Sequence, residues 1–134
     1  MYTGGTMTPF LSSFSGLSVN DIHTAKEFYV DTLGLEITDE SMGLQLSLPG
    51  GGSLFVYEKL EHIPATFTVL NLVVEDISAS IDSLVEKGIV FERYDYLPAK
   101  QDERGVLRGK SAGMGPDIAW FRDPADNVLA LVES

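Results

Sequence analysis

Apolar and polar positions along this chain follow one scheme twice. Ser15-Gly-Leu-Ser-Val-Asn-Asp-Ile22 is an apolar run closed by an acidic residue, and the helix-like His23–Leu33 follows it. Leu70-Asn-Leu-Val-Val-Glu-Asp-Ile77 repeats the pattern and leads into Ser78–Lys87, with Asn20-Asp21-Ile22 falling on Glu75-Asp76-Ile77. Each unit then reaches a glycine, Gly34 or Gly88, and a new apolar stretch. Two copies of so long a unit point to a duplicated half-domain, because a solenoid needs three or more.

The spacing predicts the elements in order. Phe10–Val19 reads as a strand, and Asn20-Asp21 can cap the next helix through a short acceptor side chain. Within His23–Leu33, Ala25, Phe28, Tyr29 and Leu33 recur at helical spacing, and Gly34 ends the helix. Leu35–Thr38, Gly43–Leu48 and Ser53–Glu58 read as strands, with Gly50-Gly51-Gly52 as a turn. No helix and no Lys-Ser/Thr follows those glycines, so they do not form a phosphate loop.

The second half gives a strand at Phe67–Val74, a helix at Ser78–Lys87 with Ile81, Leu84 and Val85 on one face, and a strand at Ile89–Arg93. Tyr94–Gly115 is a long irregular stretch, of the kind that is often functional. Asp117–Arg122 and Val128–Glu133 are the last strands, joined by the turn Asp123-Pro124-Ala125-Asp126-Asn127. The sum is βαβββ twice, an α+β domain over 10–134 with modules at about 10–60 and 64–134. Residues 1–9 read as a flexible leader, or Met7 as the true start.

Composition narrows the function. A chain of 134 residues that is 44% hydrophobic makes one domain with a real core. The net charge of −11 argues against nucleic acid and anionic membrane surfaces, which need clustered Lys and Arg, and favours a cationic ligand. A solvated acidic surface is the competing account of that charge. No apolar run approaches membrane-span length, and no signal peptide is visible. Cysteine is absent, which excludes thiolate chemistry, and the cytoplasm is the default compartment.

Val19-Asn-Asp-Ile22 with Ala25 and Phe28-Tyr29, Leu33-Gly34-Leu35, Val74-Glu-Asp-Ile77 with Leu84 and Gly88, and above all Phe121-Arg-Asp-Pro-Ala-Asp-Asn127 carry a family likeness. Over about 12 to 133 the chain resembles the vicinal oxygen chelate superfamily, which includes glyoxalase I, extradiol dioxygenases, fosfomycin-resistance enzymes and bleomycin-resistance proteins. The resemblance implies two βαβββ modules whose sheets form an open, cupped mixed sheet around a cavity, and a homodimer. Catalytic members hold a divalent metal with His, Glu or Gln from the strands. Those positions fall on Phe14, Val69 and Ala130 here, with the fourth near Phe55, or at Tyr57 if the alignment slips by two. None of these side chains except the Tyr57 phenol offers a donor, so no family-type metal or cofactor is expected.

Strand alternation then sorts the cavity. Phe14, Gly16, Ser18, Phe55, Tyr57, Val69, Asn71, Val73, Val128, Ala130 and Val132 are expected to face it. Leu17, Val19, Leu70, Leu72, Leu129 and Leu131 are expected to pack under the helices. Such a cavity suits a small organic ligand, although large side chains such as Phe14 would also serve to plug it. Trp120 offers a stacking surface or an ordinary core residue. Arg104, Arg108 and Lys110 offer an anion contact on a lid or plain charge balance.

The first expectation is therefore a metal-free binding protein that sequesters a drug or metabolite, with Phe14, Ser18, Phe55, Tyr57, Val69, Asn71, Trp120, Ala130 and Arg104 as ligand-binding residues. One alternative is a glyoxalase- or dioxygenase-like lyase or isomerase with a rebuilt site using Glu58, His62 or Asp117. Another is an interaction module whose dimerisation matters more than its pocket. Whether the protein is an enzyme stays open at this point.

Overall fold

The computed structural model describes residues 9–134, so all but Pro9 of the expected leader lies outside the described residues. The first module runs β1 (Ser15–Val19), α1 (Ile22–Lys26), a π-helical segment (Glu27–Thr32), β2 (Glu36–Asp39), β3 (Leu44–Ser47) and β4 (Ser53–Glu58). The second runs β5 (Thr68–Val74), α2 (Ile77–Glu86), β6 (Val106–Arg108), β7 (Asp117–Arg122) and β8 (Val128–Glu133). Each module forms a four-stranded sheet in the same order, β1-β4-β3-β2 and β5-β8-β7-β6. The first and last strand of each module pair in parallel and the others antiparallel. The duplication seen in the sequence is thus a duplication of topology, and the sheets do not close into a barrel.

Both helices start the same way. Asp21 accepts hydrogen bonds from the His23 and Thr24 amides, and Asp76 from the Ala79 amide. A second carboxylate from the last strand of each module completes the cap: Glu58 accepts from the Ile22 amide at 3.0 Å, and Glu133 from the Ile77 amide at 2.9 Å. Free N–H groups and the helix dipole favour carboxylates there.

The core lies between the helices and one face of each sheet. Leu17, Val19, Leu44, Leu46, Leu54 and Val56 of the first module share one cluster with Ala119, Phe121, Leu129 and Leu131 of the second. Ala25, Phe28 and Tyr29 of the first helix and Ile77, Ile81 and Leu84 of the second cover it. Burial of this alternating face is the main driving force for the fold.

Three expectations are corrected. Strand β1 begins at Ser15, so 10–14 are not strand, and Phe10 and Leu11 are exposed. Ile89–Arg93 is not a strand either. The fourth strand of the second sheet is Val106–Arg108, inside the stretch read as loop, because only there do antiparallel partners meet, on Asp117–Ala119. Ile89 and Phe91 pack against the core instead, and only the Glu92 amide bonds the Trp120 carbonyl. Finally, the first helix changes to a π-helix, with the Leu33 amide bonded to the Phe28 carbonyl five residues back.

Candidate functional site

Register places the residues of the other, concave face. Gly16 pairs with Phe55 and Ser18 with Tyr57, so these four share the face opposite the buried Leu17 and Val56. In the second sheet Asn71, Ala130 and Trp120 form one row, and Val73, Val132 and Ile118 the next. Ala130 and Val128 are fully or nearly buried, yet neither belongs to the helix-side core.

Aromatic rings dominate both concave surfaces. Phe14 meets Phe55 edge to face at 6.3 Å, and Phe55 stacks on Tyr57 at 5.8 Å. Phe14 is 63% exposed and Tyr57 38%. On the second sheet the Trp120 indole N–H donates to Thr68 Oγ1 at 3.1 Å, and Tyr94 meets the indole edge to face at 5.6 Å. A cleft of about 370 Å³ opens there, lined by Phe67, Thr68, Tyr94, Tyr96, Trp120 and Arg122 among others. Burial, and then the Glu92 carboxylate, raise the Tyr94 phenol above its ordinary value, so it stays neutral. All residues of this cleft belong to the second module, whereas a cleft of about 490 Å³ beside Tyr57 is lined by the first module alone.

Two expected cavity residues lie elsewhere. A β-bulge between Thr68 and Leu70 leaves Val69 as the extra residue, and both Val69 and Leu70 pack against the helix-side core. Thr68 takes the concave position and holds the indole, which simple alternation could not foresee. Arg104 pairs with Asp82 on α2, away from the concave face. Phe14, Ser18, Phe55, Tyr57, Asn71, Trp120 and Ala130 lie on the concave surfaces, divided between the two sheets.

The polar candidates serve the fold. His62 bridges the modules: its Nε2 bonds the Ala125 carbonyl at 2.9 Å and its Nδ1 the Ser18 hydroxyl at 2.7 Å. A carbonyl only accepts, so Nε2 donates to it, while Nδ1 shares its hydrogen bond with a hydroxyl that can act either way. Glu58 is the helix cap described above. Asp117 is buried and accepts from Arg108 at 3.1 Å and from the Lys110 amide at 3.0 Å. Arg108 also pairs with Asp102 and Lys110 with Glu133, so the basic group is spent on internal ion pairs. Its hydrogen bond to Asp117 holds the Arg108 guanidinium above its ordinary value.

The turn after β7 is the densest polar site. Asp123 accepts from the Ala125 and Asn127 amides, the Asn127 side chain and the Tyr29 hydroxyl, and Asn127 also donates to the Ser18 carbonyl. The family model for the glyoxalase/bleomycin resistance protein/dioxygenase superfamily matches residues 11–131, a span that holds both sheets and this turn. The chain belongs to that superfamily. No curated protein matches the sequence.

Solved structures of the superfamily agree with the fold. An antibiotic-binding protein, TnmS3, from Streptomyces sp. CB03234 is 25% identical with a TM-score of 0.60, over 92% of this chain and 96% of that one. A glyoxalase/bleomycin resistance protein from the same organism is 26% identical with a TM-score of 0.58, over 90% and 99%. A glyoxalase family protein from Enterococcus faecalis is 24% identical with a TM-score of 0.65, over 92% and 98%.

Superfamily enzymes imply a divalent metal, and the donor set here does not fit one. Phe14 and Ala130, the positions that the family resemblance assigns to metal ligands, carry a phenyl and a methyl, and Val69 packs against the core. Among the described residues no group of three or more His, Cys, Asp or Glu side chains converges. Metal sites need three or four such donors in a defined geometry. Among the described residues no helix is long and apolar enough to cross a membrane.

Proposed function

We propose that this superfamily member binds a small organic molecule, a drug or metabolite, without a metal, and that two copies close the binding cavity. One observation carries the reading: the concave surface of the first sheet presents the solvent-exposed ring of Phe14, packed on Phe55 and Tyr57, where the family resemblance puts metal ligands. Sequestration needs complementary surface and no chemistry, and apolar surface with a few polar groups suits it. Ser18, Asn71, Thr68 and Tyr57 supply those polar groups. The Streptomyces relative described as an antibiotic-binding protein supports the class of ligand.

The cleft beside Trp120 is lined by the second module alone and stays open on its outer side, which supports closure by a second copy. Exposed apolar patches of this kind mark interaction surfaces. A rebuilt catalytic site at Glu58, His62 and Asp117 loses its support, because each of these groups is engaged in holding the fold.

Trp120 is the only tryptophan in the chain, so its emission reports on the concave face directly. Titration with a panel of aromatic antibiotics in EDTA is expected to give saturable quenching by at least one compound. Binding that requires an added divalent ion, or chemical conversion of the bound compound, would overturn the reading.

A further inference from the structure

Four aromatic side chains converge on the cleft beside Trp120: Phe67, Tyr94, Tyr96 and the indole itself. Their rings differ in orientation. Tyr94 stands at 68° to Trp120 and at 34° to Tyr96, with centroids 5.6 and 5.4 Å apart. The hydrogen bond to Thr68 satisfies the indole N–H and fixes the ring. The space, about 370 Å³, lies near the lower end of the roughly 300–1,000 Å³ typical of ligand sites, so it fits a head group rather than a whole drug.

We infer that this cleft is an aromatic cage for the cationic head of the bound molecule, an alkylated or protonated amine. The inference rests on the ligand-binding reading above and specifies its ligand. Ring faces carry negative quadrupole potential, and a cation within about 6 Å of several ring centroids is attracted to all of them. The only cation in the lining is Arg122, and its charge is already met. Its Nε donates to Glu92 at 2.8 Å and its Nη1 to the Asp126 carbonyl at 3.3 Å. The lining is therefore aromatic around a neutralised ion pair. The chain's net charge of −11 adds a long-range attraction for cations. An anionic ligand would meet both the ring faces and that field unfavourably.

The test uses two probes of one shape, meta-(trimethylammonio)phenol and meta-tert-butylphenol, titrated calorimetrically into the full chain at a pH where both phenols are un-ionised. The cation is expected to bind about fivefold to thirtyfold more tightly than its neutral isostere. Tyr96→Ala removes an exposed ring without touching the core, and should reduce that preference while leaving the melting temperature unchanged. Trp120→Phe should reduce it through the weaker quadrupole. Arg122→Gln frees the Glu92 carboxylate and should strengthen cation binding several-fold with no gain for the isostere. Equal or tighter binding of the tert-butyl compound would overturn the cage and leave the ligand-binding reading standing. So would binding of neutral aromatic antibiotics with neither probe bound. Failure of every probe and every antibiotic would overturn both.

Discussion

The Tyr29 hydroxyl donates to Asp123 Oδ2 at 2.6 Å, a buried hydrogen bond between the first helix and the turn after β7. It ties the two modules together across 94 positions of the chain. Tyr29→Phe leaves a buried acceptor one donor short and is expected to cost about 1–3 kcal/mol in urea denaturation. Asp123→Ala orphans four buried donors at once and should cost about 4 kcal/mol or more. Equal losses for the two variants would mean that the inter-module bond, rather than the turn, carries all of the effect.

Burial, and then the Asp123 carboxylate, raise the Tyr29 phenol far above its ordinary value. A raised acid favours the neutral, folded form. Stability from this group is therefore intact below the unfolded value of about 10 and falls as pH rises through the higher folded value. Denaturation midpoints measured across the alkaline range should fall more steeply for the wild type than for Tyr29→Phe. Parallel curves would refute the assignment.

His62 makes one bond to each module, so His62→Ala should lower stability by about 1–3 kcal/mol. The melting temperature of both proteins should ignore EDTA. A wild-type midpoint that falls on chelation while that of His62→Ala does not would make the imidazole a metal ligand.

Two glycines are needed for different reasons. A Cβ on Gly109 would sit 2.2 Å from the Pro116 carbonyl oxygen, which is backbone and cannot turn away, so Gly109→Ala should cost about 1–3 kcal/mol or more. Gly34 has open space around its Cβ position but φ of +75°, and Gly34→Ala should cost about 1 kcal/mol. Thermal melts of the two variants should separate, with Gly109→Ala the lower.

Sedimentation velocity tests closure of the cavity by a second copy. The wild type is expected to run as a dimer, and Val73→Glu, which charges an exposed concave position, as a folded monomer. A monomeric wild type at tens of micromolar would defeat the two-copy cavity.

Much of the fold was legible because alternation and helical spacing survive wherever one face is buried. Leu17, Val19, Leu129 and Leu131 read as core and are core, and β7 and β8 have the bounds their pattern predicts. The irregular stretch was not legible. A three-residue strand such as Val106–Arg108 has no period to detect and exists only because Asp117–Ala119 lies beside it. The site was legible in its residue types more than in its geometry: Phe14, Phe55 and Trp120 stood out, while Thr68 carried no signal.

The sequence by itself determined the duplicated βαβββ plan and the sorting of leucines from the concave face. These follow from local periodicity and from side-chain chemistry, which need no partner. Tertiary structure alone decided the bulge that turns Val69 into the core, the capture of Arg104 by Asp82, and the use of Glu58 and His62 as cap and clamp. Each depends on strand pairing or on contacts between groups far apart in the chain, which pattern along the chain does not encode.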